Sequence, residues 1–346
     1  MADAVGWRVF QADWSKLDLR SPLRCLPAIA LVLAVGIATG YTRASVAMAA
    51  GAYSVGFGSF HQIRGSRVLP MLLAAFGMGM ASWAGTLAGL SAAASAYMAG
   101  VAAFVYAWIS QYDPEASWVA LQAAIWLVIS TGYPERGLQS LVRGSLVLAG
   151  GLLQTAVIVL WWRLEKAIAL EAVDCRFRAA TPAAAQPASD DLPRWLFPLR
   201  AGLTLAAAAA LYKWLSKQNG YWLPMTALIV VRREFHDAMQ RGLARVAGTI
   251  TGAAVASLIV YIAPSSPWIR AAGVVLFAWG CYALFWVSYA HFAMCLTSYL
   301  AFLFSFAGLE SEGVIVRRVV FTAMGGALVF LMHWIAERIV RRRQRA

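Results

Sequence analysis

Long hydrophobic runs separated by short charged turns dominate the chain. Residues 68–112 and 271–309 contain no Asp, Glu, Lys or Arg, and each stretch has room for two bilayer crossings of about 20 residues. The hydrophobic segments are 25–41, 44–60, 68–89, 92–109, 118–130, 141–162, 201–215, 221–231, 243–262, 268–285, 292–306 and 319–335. This pattern predicts an all-α integral membrane protein with about 12 transmembrane helices and no folded soluble domain.

Three polar or amphipathic regions flank these segments. Apolar and charged residues alternate in residues 1–24, which we expect to lie in the headgroup plane. Residues 163–198 are rich in Pro, Ala, Ser and Asp and predict a connector between two membrane units, 25–162 and 199–337. Residues 338–346 form a basic tail.

The two units repeat one another at a nearly constant offset of about 175 residues. The matching positions are Phe60 and His61 with Phe235 and His236, and Glu135, Arg143, Gly150 and Gly151 with Glu310, Arg318, Gly325 and Gly326. Matched spacing in distant blocks indicates duplication. Six crossings in each unit predict parallel repeats related by an axis along the membrane normal. Alternatively, the short segments 44–60 and 221–231 do not cross fully.

Composition and charge agree with a membrane protein. Apolar residues make up 61% of the chain and charged residues 13%, and the mean hydropathy is +0.65. The net charge is +13, with basic residues grouped at the N-terminus, in the connector and at the C-terminus. This distribution predicts that both termini and the connector are cytoplasmic and contact anionic lipids. No separate basic domain is present, so we expect no binding to nucleic acid.

Several classes of chemistry lack their sequence signatures. The cysteines at positions 25, 175, 281 and 295 have no metal-binding spacing, and we expect them to be buried apolar residues. The chain has no Asp-rich motif, zinc motif or P-loop. A membrane enzyme is therefore less favoured than the two other hypotheses for this chain, a transporter and a passive channel. We expect neither a cofactor nor a metal.

The most specific string is GYWLPMTALIVVRREFHDAMQRGLARVAGTITGA, at residues 220–253. It suggests a short helix broken by Pro224, a charged turn, and then a helix rich in small residues. The matching residues are Tyr221, Trp222, Pro224, Thr226, Ala227, Arg241, Gly242, Arg245, Gly248, Thr249 and Gly252. Through them the chain resembles the fusaric acid resistance family, also called aromatic acid exporters. The resemblance implies an inner-membrane exporter of aromatic carboxylic acids that is driven by the proton gradient.

An organic anion that crosses a bilayer needs positive charge and hydrogen-bond donors in place of water. The candidate substrate-binding residues are Arg143, Arg318, Lys213, Arg232, Arg233, Tyr221 and Trp222. Alternatives stay open for each group. The repeat pair Arg143 and Arg318 also suits helix starts at the interface, paired with Glu135 and Glu310. A solvated cytoplasmic loop is favoured for the arginines between 232 and 245, and an aromatic belt for the two rings.

Energy coupling is the least defined feature. Histidine is the side chain whose charge most readily changes near neutral pH, so His61 and His236 are candidates for proton coupling, together with Glu310. No acidic residue lies near the middle of a predicted span, which favours the alternative of a passive anion channel. The two-unit layout also resembles a fused pair of aluminium-activated malate transporter subunits, in which Arg143 and Arg318 would face one pathway. Substrate, direction and oligomeric state are not predicted.

Overall fold

The computed structural model describes residues 11–167, 194–217, 219–262, 266–308 and 314–343, and these form twelve α-helices without a β-strand. The first six are α1 (Leu26–Thr39), α2 (Thr42–Gly56), α3 (Val68–Ala88), α4 (Ala92–Ile109), α5 (Pro114–Ser130) and α6 (Leu138–Ala167). The second six are α7 (Leu196–Leu215), α8 (Trp222–Val230), α9 (Phe235–Ile262), α10 (Pro267–Leu284), α11 (Tyr289–Phe306) and α12 (Val314–Arg343). Short 3-10 turns cover Trp14–Lys16, Ser21–Cys25 and Phe57–Phe60. The all-α class is confirmed.

Eight helices of the described ranges are long and apolar enough to cross a membrane, which supports a multi-pass membrane protein. They are α1, α3, α4, α6, α9, α10, α11 and α12. The described residues thus contain the expected number of helices, twelve, but eight of these helices are candidate membrane spans. Helix α8 has 9 residues and rises about 14 Å, less than half of the hydrocarbon core. Its counterpart in order, α2, also falls outside the eight.

Capping explains where some helices begin. The Asp113 side chain accepts hydrogen bonds from the backbone of Glu115 and Ala116, and Pro114 occupies the first position of α5. Helix α9 begins at Phe235, eight positions before the predicted start at 243. Hydropathy marks where a helix becomes apolar, whereas a helix also extends through charged turns. The predicted charged turn is therefore largely helical, with Asp237 in its first turn.

The two halves share their hydrophobic cores. Helices α4 and α5 of the first half pack on α7 and α8 of the second, and α10 of the second half packs on α1. One core joins α1, α2, α3, α10 and α11, and the other joins α4, α5, α7, α8 and α12. A Cβ on either Gly100 or Gly202 would meet the other residue's carbonyl oxygen at 3.1 Å, so these glycines bring α4 and α7 together.

Other glycines allow helices to cross closely within each half. The Cβ positions of Gly85 and Gly89 would collide with backbone at the end of α5, and those of Gly248 and Gly252 with the backbone of α11. These glycines therefore allow α3 to lie close to α5 and α9 to lie close to α11. Gly40 plays another role, because its φ of +75° places it at the left-handed end of α1.

The core shared by α1, α2, α10 and α11 contains a block of tyrosines. The rings of Tyr53 and Tyr299 stack with centroids 4.2 Å apart. The Tyr282 hydroxyl donates to the Tyr53 carbonyl oxygen at 2.6 Å. All three side chains are buried, so this contact between the halves is filled.

Parts of the polar and amphipathic regions lie outside the described residues, namely 1–10, 168–193 and 344–346. Within the N-terminal region, the backbone N–H of Asp13 donates to the Val287 carbonyl at 3.0 Å. This bond ties the region to the start of α11. The cysteines at 25, 281 and 295 are buried, as predicted, and position 175 lies outside the described ranges.

Candidate functional site

Helix α8 contacts α5, α7, α9 and α12. All of its residues except Ile229 are buried. Pro224 is the third residue of α8, in the first turn, where a backbone N–H has no partner within the helix. Pro224 therefore helps to begin α8 and does not break it, contrary to the sequence interpretation.

The most deeply placed charge at α8 belongs to Arg318, near the start of α12. Arg318 is 5% exposed, and its guanidinium carbon lies 5.1 Å from the centre of the Trp222 ring. Its Nη2 reaches Thr297 Oγ1 at 3.5 Å, and its Nε and Nη1 have no hydrogen-bond partner. No described carboxylate forms an ion pair with this arginine. A buried cation with free donors and an aromatic face is suited to binding an anion.

Tyr221 and Trp222 are buried beside this charge. They are 3% and 1% exposed, so neither ring belongs to an aromatic belt on the protein surface. Their ring centroids lie 5.7 Å apart in an edge arrangement. Tyr221 also lies within electrostatic range of Arg318. The two aromatic candidates and one arginine candidate thus form one cluster.

Arg143 reaches this cluster through Tyr133, a residue not identified from the sequence. The Arg143 guanidinium lies 4.7 Å from the centre of the Tyr133 ring, and its Nη2 pairs with Glu135 Oε1 at 3.1 Å. The Tyr133 and Tyr221 hydroxyl oxygens are 3.1 Å apart. Burial raises the pKa of Tyr133, so its phenol keeps its proton at neutral pH. The sequence GYPER at residues 132–136 could have indicated Tyr133, because it places this ring two residues before Glu135, one of the residues matched between the repeats.

Lys213 donates to backbone carbonyls. Its Nζ donates to the carbonyl oxygen of Gly89 at 2.6 Å and to that of Thr131 at 3.0 Å. Both residues follow the last turn of a helix, so the ammonium group caps the negative ends of α3 and α5.

The two arginines of the turn after α8 differ in their exposure to solvent. Arg233 is exposed, as expected for a solvated loop, whereas Arg232 is half-buried and its Nη1 donates to Tyr106 Oη at 3.0 Å. Arg200 donates to the carbonyl oxygens of both residues and so caps the end of α8.

Arg241 and Arg245 depart further from a solvated loop. Arg245 is 2% exposed, which contradicts the loop interpretation at this position, and its Nη1 donates to Tyr289 Oη at 3.4 Å. The Arg241 guanidinium lies 4.3 Å from the centre of the Tyr289 ring. Because α9 begins early, its second and third turns carry these arginines inward against α11.

The histidine candidates have different surroundings. His61 Nδ1 lies 2.7 Å from Glu115 Oε2, and its ring stacks on Trp118 with centroids 4.6 Å apart. His236 is exposed, and its Nε2 lies 2.8 Å from the side-chain nitrogen of Gln240, one turn later. Glu310 lies outside the described residues. Across the described ranges, no group of three or more His, Cys, Asp or Glu residues is placed to hold a metal ion.

The structure thus brings together four of the predicted substrate-binding residues, Arg143, Arg318, Tyr221 and Trp222. Arg232 lies at the other end of α8. Lys213 donates to backbone carbonyls, and Arg233 is exposed to solvent. The result is a buried basic and aromatic site beside α8.

Comparison with known proteins gives one family and one relative. Residues 205–332 match the family described as "Fusaric acid resistance protein-like", and this segment contains α8 through most of α12. The chain is also 30% identical over 135 residues to "Uncharacterized protein ORF2" of Neisseria gonorrhoeae. That alignment covers 38% of this chain and 31% of the relative, about a third of its length. No solved structure matches the chain.

Proposed function

We propose that this chain, whose residues 205–332 match the fusaric acid resistance protein-like family, is a secondary transporter that exports aromatic or other hydrophobic organic acids. The match to this family supports a membrane transporter. The substrate class follows from the site beside α8, where positive charge and aromatic rings face one another. The proposed function requires no catalysed reaction.

One observation carries the proposal. Arg318 is 5% exposed and has two guanidinium nitrogens without partners, against the ring of Trp222. A buried unpaired charge costs several kcal/mol, so such a residue is retained where it binds something of opposite charge. An aromatic carboxylate matches both features: its oxygens accept from the guanidinium, and its ring packs on the indole.

The architecture that we propose is a pair of parallel six-helix repeats. Equivalent helix pairs in the two halves make equivalent contacts, which supports it: α2 packs on α6 as α8 does on α12, and α3 packs on α5 as α9 does on α11. The contacts between the halves correspond as well. Helix α4 of the first half packs on α7, and its equivalent in the second half, α10, packs on α1, the equivalent of α7. The termini and the connector would then lie on the cytoplasmic side of the bacterial inner membrane, next to anionic lipids.

Proton coupling in this proposal uses His61. The 2.7 Å contact between His61 and Glu115 joins an imidazole to a carboxylate, an arrangement that can pick up and release a proton. A passive anion channel is the second candidate. It is favoured by the absence of any acidic residue from the middle of the described candidate spans. The likeness to aluminium-activated malate transporters stays a prediction.

Flux measurements in proteoliposomes separate the two candidates. Purified protein should move hydroxybenzoate, and an imposed pH gradient should change the rate severalfold at zero membrane potential. Hydroxybenzoate current that ignores the pH gradient would favour the channel. No hydroxybenzoate movement under either condition would refute the substrate class.

A further inference from the structure

A second group of arginines and tyrosines lies beyond the site at Trp222. We call it the Tyr289 cluster; its members are Arg232, Arg241, Arg245, Tyr106 and Tyr289. Arg245 and Tyr106 are buried and the other three are half-buried, and only Arg232 belongs to the substrate-binding set predicted from the sequence. Two helices after the connector, α9 and α11, contribute to the cluster, together with α4 and the turn at residues 231–234.

The arginines of the Tyr289 cluster are not neutralised by an ion pair. Among the described residues neither Arg241 nor Arg245 pairs with a carboxylate, and the Nε of each is buried without a hydrogen-bond partner. The charge of Arg232 also repels that of Arg241. Several guanidinium groups held close together and partly removed from water are costly unless an anion joins them. The cluster therefore has the charge and free donors of an anion-binding site.

The tyrosines add donors of the right kind. Tyr289 Oη accepts from Arg245 at 3.4 Å, and Tyr106 Oη accepts from Arg232 at 3.0 Å. A phenol oxygen that accepts from an arginine still has its own O–H to donate. Arg241 lies over the Tyr289 ring, which fixes both groups. A carboxylate at this position would receive guanidinium and phenol hydrogen bonds together.

The residues of the cluster are not repeated position by position in the first half of the chain. At an offset of 175, Ser66, Pro70 and Pro114 correspond to Arg241, Arg245 and Tyr289. Arg67 lies one position from the equivalent of Arg241, but Arg245 and Tyr289 have no counterpart of the same type there.

The Tyr289 cluster lies near the site at Trp222, because Arg245 is close enough to Arg318 for their charges to repel. Positive groups are thus present on both sides of the contact between Arg245 and Arg318.

We infer that the Tyr289 cluster is a second carboxylate-binding site, which holds the organic anion between the turn at residues 231–234 and the site at Trp222. This inference rests on the proposed function for its substrate, since it assigns the same class of anion to both sites. The anion-binding property itself follows from the unpaired Arg241 and Arg245 nitrogens and is testable without transport.

Calorimetric titration of the purified full-length protein with benzoate tests the inference. The wild type should bind two benzoates. Replacing the two α9 arginines of the cluster, R241Q with R245Q, should weaken one of the two sites at least tenfold and leave the site at Trp222 unchanged. R318Q should weaken the site at Trp222 and leave the cluster site unchanged. R43Q is the control, because Arg43 is also an exposed arginine and belongs to neither site, and it should still bind two. Two sites with affinities within twofold of wild type in the double variant would overturn the inference.

Two further measurements keep the test decisive. If the double variant is not recovered as a monodisperse protein, R241Q alone and Y289F should each weaken the same site at least threefold; unchanged binding in both overturns the inference. If the wild type binds no benzoate, anomalous scattering from bromide-soaked crystals decides. Bromide between Arg241, Arg245 and Tyr289 supports an anion site while the aromatic-acid substrate class fails, and no bromide there overturns the inference.

Discussion

The hydroxyl oxygens of Tyr133 and Tyr221 lie 3.1 Å apart, and they join the turn after α5 to the start of α8. Tyr133 carries Arg143 over its ring, and Tyr221 lies edge-on to the Trp222 ring that carries Arg318. Two arginines at equivalent positions of the proposed repeats are therefore linked through three aromatic side chains. This link makes one site out of residues from both halves.

The phenol pair should contribute measurably to stability. Y133F and Y221F each remove one hydroxyl and leave the other without its partner, and each should lower the free energy of unfolding by about 1 kcal/mol. Loss of both should cost less than the sum, because the two groups interact. A double-mutant cycle by thermal unfolding in detergent measures this. Fully additive losses would mean that the two hydroxyls do not interact.

Lys213 should matter for stability more than for transport. K213M removes the donor to the Gly89 and Thr131 carbonyls and should lower the free energy of unfolding by about 1–2 kcal/mol. K217M is the control, since Lys217 is exposed two residues after the same helix, and it should change stability by less than about 0.5 kcal/mol. Lys213 remains a predicted substrate-binding residue until this is measured. A raised KM with unchanged stability would favour substrate binding.

Two adjacent glycines of α12 give a sharp test of helix packing. A Cβ on Gly325 would lie 2.5 Å from the Leu223 carbonyl oxygen, whereas one on Gly326 would meet no atom within 4 Å. We therefore expect G325A to lower the unfolding temperature by several degrees and to reduce transport, because α8 must move. G326A should be neutral or slightly stabilising, since Ala favours a helix. Equal effects of the two substitutions would contradict the packing of α8 on α12.

Proton coupling should depend on His61 and not on His236. H61Q and E115Q each break the 2.7 Å pair, and each should remove the response of hydroxybenzoate flux to a pH gradient while keeping some flux without a gradient. H236Q changes an exposed histidine at the equivalent repeat position and serves as the control. A full response to the gradient in H61Q would remove this residue from the coupling mechanism.

Local sequence patterns predicted the helices well but not how the two halves meet. Hydropathy predicted twelve segments close to the observed helices, because each helix is encoded by a continuous apolar run of sequence. The same runs did not predict that α4 packs on α7 and α10 on α1. That exchange depends on small residues such as Gly100 and Gly202, which contact one another across about 100 positions of sequence.

The site was predictable in part for a similar reason. Repeat matching identified Arg143 and Arg318, and the string at 220–253 identified Tyr221 and Trp222. The burial of Arg245 was missed, since a basic residue in a charged segment normally indicates solvent. Only the position of α9 against α11 places Arg245 inside. Tyr133 was missed because its contact with Tyr221 is set by the packing of α5 on α8.

The most direct test of the central claim is hydroxybenzoate flux into proteoliposomes for the variant in which both Arg143 and Arg318 are Gln, compared with R43Q, a change of an exposed arginine, at equal amounts of folded protein. The proposed transporter predicts that the double variant loses at least nine-tenths of the flux while R43Q keeps the wild-type rate within about twofold, because the loss of a buried guanidinium that pairs with a carboxylate costs about 1.4 kcal/mol or more, a tenfold effect. Flux of the double variant equal to that of R43Q would contradict an anion pathway at these arginines and return them to a structural role.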